Sequence, residues 1–278
     1  MTLPDVTPMQ IVGEYGGSVV NGAGCGGAEA NGLIFLNAGT SASGAGLAQS
    51  AFTVYAFDDS RFDENATPKQ NHPMPTQVFK DSTNTRTIGN VDGTKDVNDS
   101  GQKPSETTRR DSHGTQTTID GAYVHVTDRI QNVMEVFDTS TLEHVNTYDL
   151  VSLDGKSGRS GPSAACRKTS VLDDAALELN DPTPDLLSIT PDGKYLMVAF
   201  RGPKPVTVSH AAQGSCPGVG IVEVTDNGKA GKLVGVLRSH NIIDTVGVGA
   251  IPGGHDYIGA ERSDIHAATV IKKGSNLF

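Results

Sequence analysis

The chain has 278 residues and a formal charge of -10, from 22 Lys+Arg against 32 Asp+Glu. That length suits one large all-β domain or two small ones, and the acidic excess disfavours counterion-driven binding to a nucleic-acid backbone. With 33 Gly, 14 Pro, 5% aromatic residues and no Trp, it reads as turn-rich and poor in long helices.

The opening MTLPDVTPMQ lacks a charged stretch followed by an apolar one, and no run approaches about 18 consecutive apolar residues. Neither an intact signal peptide nor a membrane span is expected, and a trimmed mature form stays open. Met9 to Tyr15 is a strand-like run with no unit of its own. After it, AGCGGAEANGLIFLNAGT (Ala23 to Thr40) reads as strand, Asn31-Gly32 turn, strand. HGTQTTIDGAYVHVTDR (His113 to Arg129) and DLLSITPDGKYLMVAFRG (Asp185 to Gly202) repeat the pattern without a gap between them. They place Asp120-Gly121 on Asp192-Gly193 and Arg129 on Arg201. TVGVGAIPGGHDYIGAER (Thr245 to Arg262) continues the series, its turn at Pro252-Gly253-Gly254 and its end at Arg262. Glycine suits such tight hairpins because positive φ brings no Cβ clash.

Each hairpin is followed by a β-rich run: AFTVYAFDD (51–59), NVMEVFDTST (132–141), GVGIVEVTD (218–226) and DIHAATVIKK (264–273). Three of these lead into a fourth run, PTQVFKD, LEHVNTYDL or KLVGVLRS. Four antiparallel strands per unit, repeated, is the organisation of a propeller blade. The predicted fold is therefore an all-β propeller of about four blades in a single domain, 1–278. The units are roughly 16–80, 105–150, 182–238 and 242–278, the last completed by 8–15 so that the N-terminal strand closes the ring. A piece of a larger propeller, or closure through association of copies as a homo-oligomer, is the competing reading. The turn-to-turn intervals, 31 to 120, 120 to 192 and 192 to 253, exceed the roughly 40–45 residues of a compact blade. Long loops at 60–75, 81–110, 154–182 and 203–217 should therefore project from one face.

NVMEVFDTSTLEHVNTYDL and ITPDGKYLMVAFRG resemble the repeat of the YVTN and lactonase-type β-propellers, whose units carry V-x-V-x-D-T-x-T runs and SPDG hairpins. The resemblance covers the second and third units well, the fourth in part and the first weakly. Members usually have more blades than the four units seen here. The family holds enzymes, redox-linked domains and plain binding scaffolds, so the resemblance implies a blade more directly than a reaction.

In a blade, the innermost strand starts and the second strand ends at one face. His113, Asp185, Arg129, Arg201 and Arg262 should then rim the same end. The arginines and Asp185 are candidate ligand-binding residues for a small anionic or carbohydrate-like molecule, guanidinium offering a planar fork to carboxylate or phosphate. Ion pairing between blades, with Asp128, Glu261 and Asp264 next to them in sequence, is the structural alternative. Asp111-Ser-His113 and Asp264-Ile-His266 share a D-x-H spacing that puts carboxylate and imidazole on one side of an extended strand. His113 with Asp111 is a candidate catalytic pair; His113, His266 and Asp264 are candidate ligands of a divalent metal. The two copies sit on different strands of their units, so they need not meet. Hydrogen bonding at turns and strand starts is the simpler reading of both.

Asp92 to Gly101 crowds oxygen side chains as calcium loops do, without the EF-hand's bidentate Glu. His72, His125, His144, His210 and His240 show no informative spacing. Cys25, Cys166 and Cys216 form no zinc motif; Cys166 and Cys216 flank one unit and either pair or stand as isolated thiols. Two sequons, Asn65-Ala-Thr67 and Asn98-Asp-Ser100, lean the reading towards an extracellular or periplasmic setting. The functional expectation is a propeller that binds a small molecule at its loop-rich face, with lactonase-type hydrolysis as its enzymatic form. A non-catalytic protein-interaction propeller is the alternative.

Overall fold

The computed structural model describes residues 11–20, 26–38, 52–62, 69–81, 112–129, 133–150, 182–202, 217–239, 263–274 and 276–277. Strand β1 (Gly13–Glu14) precedes three successive four-stranded antiparallel sheets. The first contains β2 (Gly27–Ala30), β3 (Leu33–Ala38), β4 (Phe52–Asp58) and, past the short β5 (Lys69–Gln70), β6 (Thr76–Asp81). The second is β7 (Ser112–Thr117), β8 (Tyr123–Asp128), β9 (Val133–Asp138) and β10 (His144–Asp149). The third is β11 (Pro184–Ile189), β12 (Tyr195–Phe200), β13 (Gly218–Thr225) and β14 (Ala230–Arg238). A two-stranded ribbon, β15 (Lys272–Lys273) with β16 (Asn276–Leu277), ends the described chain.

Each sheet is a meander, its strands in chain order from inside to outside, which is a propeller blade. The inner strands β2, β7 and β11 lie side by side, and the core sits between blades rather than within one. Phe35, Phe52, Val54 and Ala56 of the first blade pack on Val124, Val126 and Phe137 of the second. Met134, Val136, Tyr148 and Leu150 of the second pack on Leu196, Val198, Phe200, Val222 and Leu233 of the third. Blades buried on both faces explain why FTVYAF is apolar almost throughout instead of alternating.

The repeat extends to side-chain hydrogen bonds. Thr118 Oγ1 donates to Asp120 Oδ1 and Thr190 Oγ1 to Asp192 Oδ1, both at 2.6 Å. Those hydroxyls accept from the amides of Tyr123 and Tyr195 at 3.0 and 3.1 Å. Both aspartates are held below the usual carboxylate range, first by the threonine hydrogen bond. At the next corner, Asp58 and Asp138 each accept from the hydroxyl two residues on, Ser60 or Ser140, at 2.6 Å.

Neighbouring inner strands are stapled by a second-strand side chain. Gly114 N–H donates to Thr127 Oγ1 at 2.6 Å, and that hydroxyl donates to Asp185 O of the next blade at 3.1 Å. Asn37 does the same one blade earlier, accepting from Gly26 N–H at 2.9 Å and donating to His113 O. The staple needs glycine on the inner strand. A Cβ on Gly114 would stand 2.3 Å from Asp185 O and 2.5 Å from Leu187 Cδ2; one on Gly26 would stand 2.2 Å from His113 O. Gly114→Ala must push two blades apart at backbone atoms, and should destabilise the protein by about 3 kcal/mol, the upper end of overpacking. Urea unfolding reads this directly; an unchanged midpoint would mean the blades can slide.

The ends of the chain differ from the sequence reading. Gly13–Glu14, in the run expected to complete the last blade, pairs in parallel with Lys69–Gln70 beside the first. Two residues of β-structure inside the 60–75 loop give it a partner nearer in sequence. Of the run 264–273, expected as the third strand of a fourth blade, only Lys272–Lys273 is strand, paired with β16, and residues 264–271 form none of their own. They run beside β11, where Leu186 N–H donates to His266 O at 3.3 Å and Ser188 Oγ to Ala268 O at 2.7 Å. The segment thus occupies the place that the next inner strand takes in a propeller. The hairpin expected at 245–262 lies outside the described residues, as do Asp111, Arg262, the Asp92–Gly101 loop, the three cysteines and both sequons.

Candidate functional site

The pairing of β7 with β8 shifts register between Ser112 and Thr115, and that of β11 with β12 between Pro184 and Leu187. Bulges at a strand start re-aim side chains, and inside them lie His113 with Gly114 and Asp185 with Leu186, His113 and Asp185 holding equivalent positions of adjacent blades. His113 Nε2 stands 2.6 Å from Asp185 Oδ1. Arg201, just past β12, donates from Nη1 to Asp185 Oδ2 at 2.8 Å and from Nη2 to Asp264 Oδ2 at 2.7 Å. Asp264 Oδ1 accepts from Gly202 N–H at 3.0 Å. Arg129 Nη1 lies 4.0 Å from Asp185 Oδ2, and His266 Nε2 lies 3.7 Å from the same oxygen. The His113 and His266 rings are 5.7 Å apart between centroids.

Asp185 is thus the hub, in contact with two imidazoles and two guanidiniums. Burial pushes its carboxyl upward, but the contact with His113 and then the charges of Arg129 and Arg201 outweigh that and hold it at about 2. His113, Asp185, Arg129 and Arg201 are buried, the Asp264 side chain is 11% exposed and that of His266 is 51% exposed. The cluster therefore opens to solvent through His266.

Among the described candidates, the structure brings His113, Asp185, Arg129, Arg201, Asp264 and His266 to one end of the inner strands. The two D-x-H histidines meet, because 264–268 runs beside an inner strand instead of forming a third one. The two described arginines point at Asp185, the ion-pairing arrangement. Within reach of both histidines the carboxylate is Asp185: His113, Asp185 and His266 each offer a metal-ligating atom, all within 4.8 Å of one another. Asp264, expected as a ligand beside the histidines, is instead engaged by Arg201 and Gly202. The sequence signal for Asp185 was its alignment with His113.

Sequence spacing gave no hint of His125 or His144. His125 is buried between the second and third blades, with Nε2 2.9 Å from Gly228 O and Nδ1 3.0 Å from Tyr148 Oη. His144 Nε2 lies 2.6 Å from the buried Glu135. A crevice of about 550 Å³ lies at the far end of β7 and β11, lined by turn residues that include Thr118, Asp120, Lys194 and Asp226. The titratable cluster is not part of it. Among the described residues no helix is long and apolar enough to cross a membrane.

No family model matches the chain, and no curated protein matches it. Solved structures do. A Lactobacillus plantarum protein is similar at 12% identity and TM-score 0.39, over 82% of this chain and 42% of that one. The β-propeller domain of a Myceliophteria thermophila protein is similar at 8% identity and TM-score 0.31, over 70% of this chain and 36% of that one. The periplasmic gluconolactonase of Pseudomonas aeruginosa is similar at 12% identity and TM-score 0.32, over 91% of this chain and 72% of that one. This chain spans less than half the length of the first two.

Proposed function

We propose that the end of the blades carrying His266 receives a small anionic or carbohydrate-like molecule and opens a lactone-type ester by general-base hydrolysis. The observation that carries this reading is a buried, ionised Asp185 set against a histidine that solvent reaches. A fixed carboxylate stabilises the imidazolium that forms when His266 takes a proton. Water adds to the carbonyl carbon as His266 accepts its proton; the ring C–O bond breaks and the proton passes to the departing alkoxide, giving a hydroxy acid. Arg129 and Arg201 position Asp185 in this scheme, and His113 holds its other oxygen. The lactone as substrate class rests on the resemblance of residues 132–150 and 189–202 to the lactonase-type blade repeat.

The test is turnover on a panel of γ- and δ-lactones, read as proton release. His266→Ala should lower kcat/KM by about 10²–10⁴-fold, the usual share of a general base, with the unfolding midpoint unchanged because His266 is half exposed. Full activity in that variant refutes the assignment. Saturable binding by wild type without turnover on any lactone would leave a non-catalytic binding propeller.

A further inference from the structure

We infer that His113, Asp185 and His266 take up one divalent transition-metal cation, through His113 Nε2, Asp185 Oδ1 and His266 Nε2. This goes beyond the hydrolytic reading and stands without it, since ion uptake is measured on the protein alone.

Two imidazoles and a carboxylate form the donor set that zinc and its neighbours accept, whereas calcium and magnesium prefer oxygen throughout. Ligands about 2.0–2.2 Å from a common ion stand roughly 3–3.6 Å from one another. At present His113 Nε2 stands 2.6 Å from Asp185 Oδ1, His266 Nε2 stands 3.7 Å from the other oxygen of the same carboxylate, and one ligating atom from each of the three residues lies within 4.8 Å of the others. Seating an ion therefore needs side-chain shifts on the order of an ångström, which the half-exposed His266 has room to make.

Two guanidiniums nearby are the obvious objection, and their placement answers it. Arg201 holds Asp185 by Oδ2, which leaves Oδ1 towards His113; a ligating carboxylate is normally hydrogen-bonded on its other oxygen. Asp264 takes the second nitrogen of Arg201, so Asp185 and Asp264 balance Arg129 and Arg201, and the buried Asp128 lies next to Arg129 in sequence. The pocket is thus not cationic while its histidines are neutral. The donors come from three adjacent extended segments, and the half-exposed His266 gives both a path in and an open coordination position, the arrangement of catalytic rather than structural zinc.

The protein is stripped with a chelator, dialysed, and titrated with Zn²⁺ alone against a chromophoric competitor. The expected result is one equivalent bound, weakened at least about tenfold in His266→Ala and in His113→Ala, with one equivalent retained in Asp264→Asn, which removes no donor. Co²⁺ in place of Zn²⁺ should give visible d–d bands that disappear in His266→Ala. That variant alters a half-exposed side chain and is checked for folding by circular dichroism. Absence of stoichiometric uptake by folded wild type, or uptake unchanged in His266→Ala, overturns the inference. A protein that loads zinc yet opens no lactone keeps this inference and loses the preceding one.

Discussion

Asp185→Asn should destabilise the protein by about 3–5 kcal/mol, the usual effect of removing one partner from a buried ion pair. The substitution keeps the shape, deletes the charge and turns one acceptor oxygen into an NH₂ donor that cannot accept from Arg201 or His113. Arg129 and Arg201 are both buried, and Asp185 is the carboxylate they share. Without it, Arg201 keeps Asp264 at the rim of the cluster while Arg129 loses the negative charge 4.0 Å from its guanidinium. Against a total stability of about 5–15 kcal/mol, that is a fifth or more of the fold's margin. Asp264→Asn should cost less, because Arg201 then retains its 2.8 Å bond to Asp185. Urea titration of the two variants at pH 7 gives the comparison. A loss below about 1 kcal/mol for Asp185→Asn, within the range of exposed pairs, would show that Arg129 does not depend on Asp185 for its counter-charge.

The blades were legible because their signals are local. The Thr-x-Asp-Gly-x-Tyr turns at 118–123 and 190–195 recur in sequence and in hydrogen bonding. The apolar runs at 52–58, 133–138 and 218–225 fall on third strands as expected. The site was legible in its members and not in its wiring. Equal alignment put His113 with Asp185 and Arg129 with Arg201, but a one-dimensional pattern does not say that both arginines turn onto one carboxylate. The bulges that aim His113 and Asp185 are register shifts between strands, which no single segment encodes. Residues 264–268 misled for a related reason. Their alternation fits any half-buried extended chain, and their neighbour is decided by which edge β11 offers, a non-local choice. His125 was invisible because its partners, Tyr148 and Gly228, are 23 and 103 residues away.

That histidine sets the second large effect: the protein should lose about 3 kcal/mol of stability as pH falls from 6.5 towards 4, and His125→Gln should abolish that share of the loss. Burial drives the His125 pKa down from 6.5 to about 4, opposed by its bond to Gly228 O. Its partners fix a neutral tautomer. Gly228 O can only accept, so Nε2 carries the proton; burial pushes the Tyr148 phenol up, so its O–H persists and donates to Nδ1. Above pH 6.5 the imidazole is neutral whether folded or unfolded, and its contribution is complete. Between 6.5 and 4 the unfolded chain takes a proton that the native one refuses, so stability falls by about 1.4 kcal/mol per unit. Asp185, with its carboxyl at about 2 against 3.8, loses its own share only below that window, which separates the two groups. The measurement is urea unfolding of wild type and His125→Gln at pH 7, 5.5 and 4.5, where other histidines contribute equally to both and cancel in the difference. Parallel pH profiles would show that His125 is protonated in the folded protein, and that the seam between the second and third blades tolerates a charge.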